Sequence, residues 1–108
     1  IEKIGVLEER FTRVAALDSS ARANQALPFV RHLEGMLILA RVIAEGARNR
    51  DECRGAHYKP DFPERDDANW LKTTKAYFAA DADEPRFEFE AVDTSLIKPR
   101  PRRYDAAK

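Results

Sequence analysis

The 108-residue sequence holds a single cysteine, Cys53, which excludes an internal disulfide and fits a reducing compartment. It has no excess of either charge. Its 19 Lys plus Arg balance 19 Asp plus Glu, which removes any general attraction to nucleic acid or to an anionic membrane. No apolar run approaches the length of a membrane span, and the N-terminus lacks the apolar core of a signal peptide. There is no CxxC, no HExxH and no GxGxxG, so the spacing rules for structural zinc, zinc proteases and dinucleotides have nothing to act on. No internal repeat is visible, and the chain opens at Ile1 in an already helix-like stretch, as a piece of a longer protein would. What is present is 35% charged and 44% hydrophobic, the composition of one small water-soluble globular domain.

Ile4, Leu7, Phe11 and Val14 recur at three- and four-residue steps, which predicts a first helix with one buried stripe. Asp18-Ser19-Ser20 interrupts it with side chains that compete for backbone hydrogen bonds. A second helix is predicted from about Asn24 to about Asn49, with Asn24 or Ser20 as N-cap. Pro28 is compatible with it, because the first turn has no intrahelical use for its backbone N–H groups. Val30, Leu33, Leu37, Ala40, Ala44 and Ala47 hold a heptad spacing, Phe29, Met36 and Ile43 widen the stripe, and Arg48 and Arg50 oppose the negative end of the dipole. Two helices this amphipathic need a further surface to cover them.

After Asn49 the character changes. Gly55, Pro60 and Pro63 mark irregular backbone, and Asp66 or Asp67 is placed to cap a short helical turn through Asn69-Trp70-Leu71. Residues 73–79 read as a strand, residues 81–85 (DADEP) as a turn, and Arg86 to Ala91 alternate polar and apolar as a half-buried strand. The hairpin directs Phe87 and Phe89 inward. The tail, LIKPRPRRYDAAK, reads as extended and surface-lying. The expected fold is therefore mainly α: an antiparallel helical bundle and polar loop over residues 1–72, then a small β-hairpin and a Pro/Arg-rich tail over 73–108.

The polar stretch ECRGAHYKPDFPERDDANWLK, residues 52–72, has the residue types of an active site, and each candidate has a plainer reading. Cys53 and His57 suggest a thiol–imidazole pair, but Gly55 between them opposes a regular helix and no third orienting group follows; an inert thiol is the simpler reading. Cys53, His57 and Asp61 make a poor metal set without a second cysteine. Asp61, Glu64, Asp66 and Asp67 suit acid–base work, or capping and pairing with Arg54 and Arg65, and the second reading is preferred. His32 is read as a solvated or boundary histidine, and Trp70 as a core anchor. Lys98, Arg100, Arg102 and Arg103 form a solvated end or a docking strip rather than a nucleic-acid site.

The same stretch resembles the C-terminal region of the flavoprotein subunits of succinate dehydrogenase and fumarate reductase. Glu52, Arg54, Gly55, Ala56, His57, Asp61, Phe62, Pro63, Arg65, Asp66, Asp67, Asn69, Trp70, Leu71 and Lys72 match its Glu-Ser-Arg-Gly-Ala-His, Asp-Phe/Tyr-Pro, Arg-Asp-Asp and Asn-Trp/Phe-Leu-Lys pattern. IEKIGVLEERF, Asn24 and KPRPRRYD extend the likeness over nearly the whole chain. Two positions depart from it: Cys53, where serine is usual, and Thr73, where histidine is common.

The resemblance implies a spectrin-repeat-like helical domain at the end of an enzyme that interconverts succinate and fumarate with covalently bound FAD. It places the flavin and substrate residues in upstream FAD-binding and capping domains, so no catalytic, cofactor-binding or metal-binding residue is assigned to this chain. The polar loop is expected to build a domain interface through Glu52, Arg54, His57, Arg65 and Asp66. Arg54 suits that role because its planar fork satisfies several acceptors at once. The implied partners are the FAD-binding and capping domains and an iron–sulfur subunit, with no nucleic acid, on the cytoplasmic side of the inner membrane. The isolated chain is expected to form a two-fold dimer through its second helix. The competing readings are the corresponding domain of L-aspartate oxidase and a free-standing helical adaptor.

Overall fold

The computed structural model of the chain describes residues 1–77 and 84–100. Five elements follow in order: α1 (Glu2–Phe11), α2 (Ala26–Asn49), α3 (Asp67–Trp70), β1 (Lys72–Tyr77) and β2 (Arg86–Ala91). The mainly helical architecture ending in a small antiparallel hairpin is the one the sequence predicts.

α1 is shorter than its apolar stripe. It ends at Phe11, and the Thr12 hydroxyl donates back to the Glu9 carbonyl at 2.7 Å. Val14, read as the last residue of the stripe, therefore lies beyond the helix. α2 begins at Ala26, yet Asn24 performs the cap, its Oδ1 accepting from the N–H of Ala26 at 3.0 Å and of Leu27 at 3.2 Å. Pro28 occupies the first turn without disturbing it. Twenty-four residues at about 1.5 Å each make α2 the longest of the described elements.

The two helices run antiparallel. Glu8 pairs with Arg41, whose guanidinium passes Gly5 at 3.6 Å from where a β-carbon would stand, while Leu7, Phe11 and Val14 face Leu33 and Leu37 across an open groove of about 240 Å³. All six heptad residues of α2, Val30 to Ala47, are half-buried, as predicted. The residues expected to widen that stripe are not covered: Phe29, Met36 and Ile43 are exposed, Ile43 at 70%. The reason is geometric, since a helix turns 100° per residue and α1 reaches only one flank of α2.

The hairpin pairs Lys72 with Ala91 at one end and Tyr77 with Arg86 at the other. β1 stops at Tyr77 among the described residues; Phe78 and Ala79, assigned to it from sequence, lie outside them, as do residues 81–83 of the predicted turn. Phe87 packs inward, 3.6 Å from the β-carbon position of Gly46 on α2, which fastens the hairpin to the helix. Phe89 instead meets the edge of Trp70, ring centres 5.6 Å apart at 80°. Among the described residues no apolar side chain is fully buried; the two buried residues are Glu45 and Glu52.

Candidate functional site

The polar loop begins where α2 ends. Arg50 leaves the helix with extended dihedrals (φ −100°, ψ 108°), and the side chains of Arg50 and Arg54 converge on Glu52 between them. Gly55 then takes φ +60°, and Arg54 and His57 exchange both backbone hydrogen bonds at 3.0 Å across the Gly55-Ala56 turn. A positive φ at the first central residue alone is the type II′ geometry that favours glycine.

Glu52 sits at the centre with no exposure to solvent. Its Oε1 accepts from Arg50 Nε and Arg54 Nε, both at 2.8 Å, and its Oε2 accepts from Arg54 Nη2 and the Asp66 N–H, both at 3.0 Å. Burial is the largest single influence on this carboxyl and opposes its charge. The hydrogen bonds from Arg54, the Asp66 amide and Arg50 together outweigh burial and hold its pKa below the ordinary carboxylate value. A buried carboxylate with four donors is a structural anion, because no lone pair faces an open site.

The network continues outward. Asp67 Oδ1 accepts from Arg54 Nη2 and from Arg65 Nε, each at 2.6 Å, and Asp67 Oδ2 takes the other arm of Arg65. Arg65 first and Arg54 second lower the Asp67 pKa to about 2. Asp66 caps α3, its Oδ1 accepting from the Ala68 and Asn69 amides at 3.0 Å. The capping and pairing reading of Asp66, Asp67, Arg54 and Arg65 is thus the arrangement observed. Asp61 and Glu64 are exposed, and Glu64 contributes its carbonyl, accepting from the Cys53 N–H at 3.0 Å.

Cys53 and His57 are not brought together. Cys53 Sγ accepts the Lys59 N–H at 3.1 Å, whereas His57 Nε2 meets the Arg50 carbonyl at 3.1 Å. Among the described residues no group of His, Cys, Asp and Glu is arranged to hold a metal ion. His32 is exposed on α2, as a solvated histidine should be. Trp70 is less a core anchor than a platform: the Arg50 guanidinium lies 5.4 Å and Lys72 Nζ 4.5 Å from its ring centre. Of the basic tail, Lys98 and Arg100 are exposed; Arg102 and Arg103 lie outside the described residues.

Sequence reasoning misses Arg50 as the pivot of the site. Besides Glu52, it donates to the Trp70 carbonyl at 2.5 Å and to Thr74 Oγ1 at 3.3 Å, so one side chain joins the end of α2 to α3 and β1. The i, i+2, i+4 spacing of Arg50, Glu52 and Arg54 is the available signal, and assigning Arg50 to the helix dipole hides it. Lys59 is missed as well. It donates to the Arg48 carbonyl at 2.6 Å and to Asp51 at 2.5 Å, tying the loop to the helix end.

Residues 1–104 match the family described as fumarate reductase flavoprotein C-term. The chain belongs to that family. It is 50% identical over 107 residues to the succinate dehydrogenase flavoprotein subunit of Bacillus subtilis (strain 168), covering 99% of this chain and 18% of that protein. It is 37% identical over 106 residues to the fumarate reductase flavoprotein subunit of Haemophilus influenzae, covering 98% and 18%. The FrdA chain in a solved structure of Escherichia coli quinol fumarate reductase superposes with a TM-score of 0.83 at 36% identity, over 93% of this chain and 17% of that one. The flavoprotein C-terminal fold is therefore shared, and the chain spans under a fifth of the relatives it matches. Neither L-aspartate oxidase nor a free-standing adaptor is favoured. Two antiparallel helices are joined by an arginine–carboxylate knot to a hairpin.

The loop's Arg50, Arg54 and Arg65 are each bonded to carboxylates, the start of α2 is capped by Asn24, and the groove is apolar apart from Arg10.

Proposed function

We propose that this chain is the structural and interface domain of a flavoprotein that oxidises succinate to fumarate, or catalyses the reverse, within a respiratory complex. The observation that carries the reading is the Glu52 knot. Arg50, Glu52, Arg54, Arg65, Asp66 and Asp67 are bonded to one another, with Glu52 unexposed at their centre. Glu52 acts by fixing Arg54, and Arg54, His57, Arg65 and Asp66 shape the surface that meets the rest of the polypeptide. FAD and substrate are held by the FAD-binding and capping domains outside these residues. An iron–sulfur subunit receives the electrons, and the assembly is peripheral to the cytoplasmic face of the inner membrane. No described helix is long and apolar enough to cross a membrane.

The test is to purify the parent polypeptide beside the 108-residue chain. The parent is expected to carry stoichiometric FAD and to reduce dye with succinate, whereas the chain alone does neither. Flavin bound to the chain alone, or succinate-dependent reduction by it, would overturn the proposal.

A further inference from the structure

The segment after β2 is displayed and anchored at the same time. Leu96 is 95% exposed and Ile97 77%, two adjacent branched apolar side chains followed by Lys98, Pro99 and Arg100. Its start is fixed by an Asx turn in which Asp93 Oδ1 accepts from the Ser95 N–H at 2.9 Å. Its end is fixed by Arg65, whose Nη1 donates to the Arg100 carbonyl at 2.9 Å. Arg65 is clamped by Asp67, Asp67 by Arg54, and Arg54 by the buried Glu52. An unbroken line of charge-assisted bonds thus runs from the most buried side chain of the described residues to the backbone of the tail. Pro99 further restricts Lys98 to extended conformations.

We propose that residues 95–100 are a docking strip: Leu96 and Ile97 enter an apolar pocket edged by carboxylates that face Lys98 and Arg100. The pocket lies on another folded unit of the same parent polypeptide, and the inference rests on the parent reading given above. Size selects this occupant. A separate protein partner needs an interface of about 1,000 Å², and two aliphatic side chains offer a small part of that. They are also less apolar than one myristoyl chain, itself a marginal membrane anchor, and the chain's zero net charge gives no long-range attraction to compensate. A pocket on the same polypeptide meets the strip at high effective concentration, where a small contact suffices. The chain is 18% of its Bacillus relative, which leaves ample polypeptide to carry such a pocket.

The test uses the parent polypeptide carrying Cys53→Ser and Leu96→Cys. Maleimide labelling of the peptide containing residue 96 is followed by mass spectrometry, in buffer and in urea. Labelling of the folded, monomeric protein is expected to be at least tenfold slower than in urea; a smaller difference overturns the strip. Adding Arg65→Gln is expected to raise the folded rate at least fivefold, and an unchanged rate overturns the tether. Protection that appears only with a second chain of the complex, or only with phosphatidylserine vesicles, overturns the assigned occupant. Hydroxyl-radical footprinting of Leu96 and Ile97 in the unsubstituted protein gives the same answer if the variant misfolds. Bound flavin in the same preparation reports the parent reading separately, so free labelling of an FAD-loaded protein rejects the strip alone.

Discussion

At the scale of single residues, the chemistry of the loop follows from which lone pairs are occupied. Cys53 stands where the resembled family has serine, and its sulfur faces the Lys59 backbone, accepting the N–H at 3.1 Å and donating to the carbonyl at 3.6 Å. A serine hydroxyl can do the same, so Cys53→Ser is expected to change stability by under about 0.5 kcal/mol. Cys53→Ala leaves a half-buried N–H unpaired and is expected to cost about 1 kcal/mol, read from chemical denaturation followed by Trp70 fluorescence. A larger loss for serine than for alanine would contradict this role. The carboxylates make a second expectation. Asp67 has its pKa lowered from 3.8 to about 2, and Glu52 and Asp66 are lowered too, so each binds a proton less readily folded than unfolded. Their contribution is full above the unfolded pKa, near 4, and is lost as pH falls towards 2. The urea midpoint is expected to drop over that window; a midpoint that holds or rises there would be inconsistent with the network.

At the scale of elements, what is legible in the sequence is what local rules govern. β2 appears at its predicted bounds because Arg86 to Ala91 alternate strictly, and α2 ends at its predicted residue, Asn49. Asp66 caps α3 because a carboxylate before a short helical turn has few other uses. The uncovered side of α2 is not legible. Phe29, Met36 and Ile43 satisfy the same periodicity as Val30 and Leu33, and only the position of α1 distinguishes the two faces. The knot is half legible: its members stand out by type, but Arg50 does not, and the long-range closure onto Trp70 and Thr74 carries no local signal. Gly55 offers the sharpest element-level expectation. Its φ of +60° leaves open space where a β-carbon would go, so the cost of a side chain is conformational alone. Gly55→Ala is expected to destabilise the loop by about 1 kcal/mol, seen as faster amide exchange at Arg54 and His57. Unchanged exchange would mean that the turn does not depend on glycine.

At the scale of the whole molecule, the described residues bury charge more completely than they bury apolar surface. Phe29, Met36, Leu39 and Ile43 line one exposed face of α2, beside the open groove against α1. Contiguous apolar surface of this kind marks an interaction site. The isolated chain is therefore expected to sediment above monomer mass at tens of micromolar, closing as a two-fold dimer through α2. A monomer that binds no apolar dye would contradict that expectation.

On the function proposed above, the arginine–carboxylate loop holds a domain in place and takes no part in the reaction. The most direct test is turnover per bound flavin in the parent protein carrying Arg54→Ala or His57→Ala. The expected result is a loss of thermal stability and of retained flavin, with turnover per remaining flavin within about twofold of the unsubstituted enzyme and an unchanged pH–rate profile. Intact stability with turnover per flavin lowered a hundredfold, or with one limb of the pH profile missing, would contradict it.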